Sequence, residues 1–172
     1  MEYLELFDYN DQPIHQTIRR DALKQAKGYA RVIHAWCRYE DGHFLIQQRN
    51  KPDDPTPYQY ATTTGMPNIN ESPLKATLRE VHEELGLHVK DDQCRFIDKI
   101  VTSEGPYKTI TYRYMITLEN ETFPTMIDHQ EVKQVKKVTY SQILALVASG
   151  QFWDYATLLR DKDYFKTLEA SL

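Results

Sequence analysis

The chain has 172 residues, 41% hydrophobic and 27% charged, which is the size and composition of one compact domain and excludes disordered and fibrous classes. Its formal charge of -4 argues against a nucleic-acid polymer as the main partner, because binding polyphosphate requires a basic stripe. Cys37 and Cys94 form neither a C-x-x-C nor a zinc-ligand spacing, and no run approaches the roughly 18 apolar residues of a membrane span, so a cytoplasmic protein is expected.

In chain order, Leu4–Phe7 and Ile14–Ile18 flank the turn-forming Asn10-Asp11-Gln12-Pro13, predicting an N-terminal hairpin within residues 1–20. It is placed to cover the main body or a partner subunit, so a homodimer is a possible assembly. Tyr29–Tyr39 and Phe44–Ile46, joined through Asp41-Gly42, predict a second, central hairpin whose alternation turns His34 and Trp36 inward. Pro52, Pro55 and Pro57 make residues 50–58 a loop.

From Ser72 the period changes. Ser72 is suited to the N-cap, Pro73 to the first helical position, and Leu74, Leu78, Val81 and Leu85 recur at three- and four-residue steps until Gly86. Arg95–Thr102 and Lys108–Leu118 predict a third hairpin about Ser103-Glu104-Gly105-Pro106, and residues 119–129 read as irregular. Glu131–Val138 reads as a strand with a solvated edge at Lys133, Lys136 and Lys137. Two helices follow, Ser141–Ala148 with Ile143, Leu144 and Val147 on one face, and Asp154–Leu168. These elements make a mixed β-sheet with helices packed against it, α/β or α+β in class, with no domain linker in residues 1–172.

The chemistry is concentrated in Gly65 to Leu87. Glu80, Glu83 and Glu84 stand at i, i+3 and i+4 of the predicted helix and share one face. Two unit charges about 4 Å apart near a surface repel by about 4 kcal/mol, against helix-pair energies of a few tenths. One neighbouring guanidinium, Arg79, leaves net negative charge, and hard oxygen ligands on a rigid element suit Mg²⁺ or Mn²⁺.

The segment resembles the Nudix box, G-x5-E-x7-R-E-U-x-E-E-x-G-U with U aliphatic. Gly65, Glu71, Arg79, Glu80, Val81, Glu83, Glu84, Gly86 and Leu87 fill every fixed position. With letter frequencies of about one in fifteen, chance supplies the seven invariant letters about once in 10⁸ starting points, so chance does not explain the match.

The resemblance implies a loop-helix-loop on a mixed sheet sandwiched between helices, and metal-dependent hydrolysis of a diphosphate in a nucleoside diphosphate derivative, a small-molecule substrate. Carried over by position, Glu83 and Glu84 are the main metal ligands. Glu80 is a further ligand or the carboxylate that activates water, Arg79 orients Glu80, and the Gly65 carbonyl is an additional ligand. Glu71 and Gly86 take structural roles. Glu131 and Glu104 are candidates for a general base outside the box, with Glu131 favoured because it precedes a strand and a following helix. Arg49 is a candidate phosphate contact, and Tyr58 and Tyr60 are expected to flank the cleft and stack on a base.

Residues 4–19, His34-Ala35-Trp36 and Gln47-Gln48-Arg49 also resemble the Nudix subgroup that includes isopentenyl diphosphate isomerase, which holds hydrolases as well. The isomerase requires a cysteine just before the box glycine and histidine ligands. Thr62-Thr63-Thr64 and Ala30 stand at those places, and threonine has no thiol acid chemistry. Hydrolysis is the expectation, with isomerase-like activity and a non-catalytic binding module as the alternatives.

Overall fold

The computed structural model describes residues 2–52, 57–103, 107–155 and 163–172. The N-terminal strands β1 (Tyr3–Phe7) and β2 (Pro13–Arg19) pair antiparallel as a separate two-stranded sheet, as their flanking of a turn predicts. Leu4, Leu6 and Phe7 are buried, and Phe7 exchanges two backbone hydrogen bonds with Tyr29, which ties the hairpin to the body. Asp11, in the left-handed region with φ of 67°, is the second tie. Its buried carboxylate accepts from Arg31 Nε at 2.8 Å, Lys99 Nζ at 3.0 Å and the Tyr112 hydroxyl. Burial works to raise the Asp11 pKa, but these three donors together hold it below the ordinary carboxylate value.

The main sheet comprises β3 (Ala30–Tyr39), β4 (Phe44–Arg49), β5 (Tyr60–Ala61), β6 (Thr63–Gly65), β7 (Cys94–Thr102), β8 (Thr109–Leu118) and β9 (Val132–Val138). The hairpin of β3 and β4 is central, as expected, but the two strands pair only at Cys37↔Leu45 and Arg38↔Phe44. They then splay. The chain at residues 60–65 fills the gap, with β5 against β4 and β6 against β3, where Ile33 faces Gly65 and Ala35 faces Thr63. On its other side β3 runs parallel to β8 over its whole length, and β7 and β9 form the two outer edges.

Alternation along β3 gives the sheet two unlike faces. Ile33, Ala35, Cys37 and Tyr39 pack with Ala76, Val81 and Leu85 of the helix α1 (Pro73–Leu85). Trp36 and Met115, on the opposite face, pack with Ile143 of α2 (Tyr140–Ala148) and with Tyr164 and Leu168 of α3 (Tyr164–Ala170). The sheet is therefore covered by helices on both sides.

The ends of α1 follow the local signals. Ser72 Oγ accepts from Lys75 N at 3.3 Å, Pro73 opens the first turn, and Gly86 closes the helix at φ of 66°. A Cβ at Gly86 would lie 2.4 Å from the Met126 carbonyl oxygen, a backbone atom that cannot swing aside. Gly86→Ala is expected to destabilise by about 2–4 kcal/mol, from left-handed strain plus overpacking, read as a lowered urea midpoint.

Two expectations need adjustment. Leu144 is 40% exposed, and the inward face of α2 is Ile143 with Leu146 and Val147, which stand three and four residues on. The predicted helix Asp154–Leu168 is helical at Tyr155 and again from Tyr164, and it ends at Ala170. Before it, Phe152 bridges Tyr60 in the sheet; residues 156–162 and the loop positions 53–56 and 104–106 lie outside the described residues.

The lysine-rich strand is a solvated edge, as read. Lys133, Lys136 and Lys137 sit over the rings of Tyr58, Tyr60 and Tyr39, and Lys137 also pairs with Asp41 at 2.8 Å. Among the described residues no helix is long and apolar enough to cross a membrane.

Candidate active site

β6 stops at Gly65, opposite Ile33, and beyond it the adjoining edge of β3 has no strand partner among the described residues. A cavity of about 730 Å³ opens there, in the size range of a nucleotide-sized ligand site. Glu80, Glu83 and Glu84 reach it from α1, Gly65 from β6, Arg49 from the end of β4, and Glu131 from just before β9. Residues from four parts of the sequence thus share one opening.

Arg79 organises the acidic side. Its Nε and Nη2 donate to the two oxygens of Glu71 at 2.9 and 3.0 Å, and Nη2 also donates to the Met66 carbonyl at 3.1 Å. Nη1 donates to Glu80 and to Glu83, each at 2.9 Å. The Glu71 carboxylate in turn accepts from Asn68 N at 2.7 Å, so one guanidinium ties the loop before α1 to the helix. Gly65 makes this approach possible: a Cβ there would stand 2.2 Å from Glu80 Cδ.

The three α1 carboxylates differ in environment. Glu83 is more than half exposed, whereas Glu80 is partly buried and Glu84 is buried. Burial pushes Glu84 up to about 8, opposed by its hydrogen bond from Gln47 and reinforced by the charges of Glu80 and Glu131. Burial likewise raises Glu80, against the pull of Arg79. Gln47 is held in turn by Thr63, whose hydroxyl donates to Gln47 Oε1 at 3.0 Å and leaves the Gln47 amide to donate to Glu84 Oε2 at 2.6 Å.

Among the described residues, no three acidic, histidine or cysteine side chains already converge at ligating distance, since Arg79 draws Glu80 and Glu83 toward itself. The donor set nevertheless fits an oxygen-ligated divalent cation. Carboxylates crowd one cavity, and two of them have their ionised forms disfavoured by desolvation, a penalty that a bound cation reverses.

Of the two candidates for a base, Glu131 lines the cavity and pairs with Lys51, while Glu104 lies outside the described residues. Arg49 lines the cavity with its guanidinium 4.5 Å from the centroid of the Trp153 ring. Tyr58 and Tyr60 do not flank it, contrary to expectation. Tyr60 is buried in the core cluster that holds Trp36, and Tyr58 is turned out under Lys133. The aromatic side chains that line it are instead Tyr107, Trp153 and Tyr155, of which only Tyr155 falls in the stretch read from the sequence as a helix. Sequence reasoning also missed Lys51 and Gln47. The only signal for Gln47 was a polar residue that continues the buried run Phe44–Ile46 of β4.

A carboxylate-bearing helix opening onto such a cavity is the arrangement of an enzyme site that works with a divalent cation. Residues 28–160 match the NUDIX domain, and the chain belongs to that family; it is a Nudix hydrolase. An uncharacterized Nudix hydrolase of Listeria innocua is 28% identical over 159 residues, covering 90% of each chain. The fold is similar to that of DR0079 from Deinococcus radiodurans, with a TM-score of 0.73 at 22% identity, covering 92% of this chain and 98% of that one. A bifunctional NMN adenylyltransferase/ADP ribose pyrophosphatase from Francisella tularensis, complexed with AMP and a manganese ion, aligns with a TM-score of 0.53 at 18% identity, over 72% of this chain and 42% of its own.

Proposed function

We propose that this Nudix hydrolase cleaves the diphosphate linkage of a nucleoside diphosphate derivative, with Mg²⁺ or Mn²⁺ as cofactor. The observation that carries the reading is the meeting of Glu80, Glu83, Glu84 and Glu131 with Arg49 and Lys51 around one cavity large enough for a nucleotide. Manganese and AMP in the Francisella tularensis relative are consistent with that choice of ligands.

In this reading Glu83 and Glu84 hold the metal, with Glu80 as a further ligand or as the carboxylate that takes a proton from water, and with the Gly65 carbonyl beside them. When bound, the cation supplies Lewis-acid polarisation of a phosphoryl oxygen and a lowered pKa for coordinated water. Arg79 keeps Glu80 oriented, while Glu71 and Gly86 hold the shape of the loop-helix-loop. Glu131 is the preferred general base over Glu104. Arg49, stacked on Trp153, orients a phosphate of the substrate by charge and fork geometry.

The test is a hydrolysis screen with Mg²⁺ and Mn²⁺ over ADP-ribose, nucleoside di- and triphosphates, dinucleoside polyphosphates and coenzyme diphosphates, with isopentenyl diphosphate as the control. Release of two phosphorylated products from one class is the expected result, and isomerisation of isopentenyl diphosphate without hydrolysis of any member overturns the reading. A separate measurement addresses the cation. Millimolar Mg²⁺ or Mn²⁺ is expected to raise the Tm of the wild type more than that of Glu84→Gln, because only a ligand that prefers the folded site stabilises it; equal shifts count against Glu84 as a ligand.

A further inference from the structure

The cavity is chemically lopsided. At the α1 end its lining is charged, whereas the sheet face shared by β3 and β8 contributes Val32, His34, Thr109 and Thr111, with Tyr155 alongside. The sheet-face part of the lining carries polar atoms that are buried or cavity-facing and, among the described residues, have no protein partner.

His34 is the most constrained of them. The Trp36 indole has only a proton to give, and it donates from Nε1 to the Tyr164 hydroxyl at 3.1 Å. The Tyr164 oxygen lies 2.8 Å from His34 Nδ1, and no other acceptor for its proton is found among the described residues. Tyr164 is fully buried, so an unshared hydroxyl proton there would be costly, and Tyr164 therefore donates to Nδ1. The imidazole is neutral, because burial and, secondarily, the charge of Arg113 push its pKa down to about 3. A neutral ring that accepts at Nδ1 carries its hydrogen on Nε2. The ring is held in place by Tyr155 at a centroid distance of 4.5 Å, and His34 lines the cavity. Thr111, fully buried in the same lining, has an Oγ1 with no hydrogen-bond partner among the described residues.

We infer that His34 is a specificity-determining residue: its Nε2–H, fixed by the relay from Trp36 through Tyr164, donates to a carbonyl or ring-nitrogen acceptor of a nucleobase, with the Thr111 hydroxyl as a second contact. A nucleobase fits because it is uncharged, flat enough for the aromatic wall of Trp153 and Tyr155, and studded with acceptors at its edge. The inference rests on the diphosphate reading, since it concerns the group to which the diphosphate is attached.

Two measurements test it. The first uses the protein alone: the long-range ¹H–¹⁵N spectrum of the wild type at pH 7 is expected to show His34 as the Nε2–H tautomer, and Tyr164→Phe is expected to release it to a mixture. An Nδ1–H tautomer or an imidazolium in the wild type overturns the inference. The second is equilibrium binding of AMP, CMP, GMP and UMP, with ribose 5-phosphate as the probe that lacks a base. At least one nucleotide is expected to bind more tightly than ribose 5-phosphate. His34→Phe is expected to weaken that nucleotide by about tenfold and leave ribose 5-phosphate unchanged, the effect of stranding one buried acceptor. Thr111→Val, which keeps the shape, is expected to weaken the nucleotide to a lesser degree.

Nucleotide binding unaffected by either substitution overturns the inference. The two readings fail separately. Base-dependent binding with no hydrolysis of any diphosphate sinks the proposed reaction alone, and hydrolysis that ignores the base sinks the specificity role alone.

Discussion

Glu83→Gln is expected to lower kcat/KM by on the order of 10² to 10³ while leaving the fold intact. The substitution keeps the length and shape of the side chain and exchanges a full negative charge for a neutral amide, a much weaker partner for a divalent cation. Stability is expected to change by less than about 0.5 kcal/mol, because Glu83 is more than half exposed and its amide oxygen remains able to accept from Arg79 Nη1. Steady-state kinetics beside a urea titration separate the two effects. Turnover near that of the wild type would sink the assignment of Glu83 to the metal site.

Gly65→Ala is expected to cost about 10²-fold in kcat/KM for a different reason. Gly65 has no positive φ, so its glycine is required for space and not for backbone conformation. The added Cβ would meet Glu80 at Cδ, Oε1 and Cγ, all within 2.4 Å, so the Glu80 side chain must leave its place against Arg79. The fold survives this because the displaced atoms are the far end of a flexible side chain and Arg79 keeps both bonds to Glu71. The stability loss is expected to be about 1 kcal/mol, smaller than for Gly86→Ala, where the obstacle is a backbone carbonyl. Activity measured against urea midpoint therefore sorts the two glycines: one shapes the site, the other closes the helix. A fully active Gly65→Ala enzyme would mean that the position of Glu80 beside Gly65 is unimportant.

The elements that the sequence disclosed are those written in short-range chemistry. Helix α1 carries its N-cap, its first-turn proline, its apolar stripe and its C-terminal glycine within fifteen residues, and the structure places Ser72 and Gly86 in those roles. The N-terminal hairpin and the pair β7 and β8 were legible because alternation flanks a turn. The strands β5 and β6 were not. At two and three residues they are too short to show a period, and a run of threonines gives no face to read. They exist because β3 and β4 splay and leave backbone groups that residues 60–65 satisfy. The misplacement of Tyr60 follows from the same wedge: it turns Tyr60 into the core, while Trp153 and Tyr155, some ninety residues later, line the cavity.

The spacing of Glu80, Glu83 and Glu84 needs only a helix to become a shared face, because the pitch of the helix is fixed by its own backbone hydrogen bonds. The sequence by itself therefore determined the acidic cluster, its guanidinium partner and the family. Tertiary structure alone decided what surrounds them. Burial beneath Gln47 and Thr63 makes Glu84 unlike Glu83, and the parallel pairing of β3 with β8 brings Thr111 to the face of His34. A relay through Tyr164, 130 residues distant, fixes which nitrogen of His34 carries the proton. Desolvation and proton placement depend on every neighbour within a few ångströms, and the neighbours of these side chains come from across the whole chain.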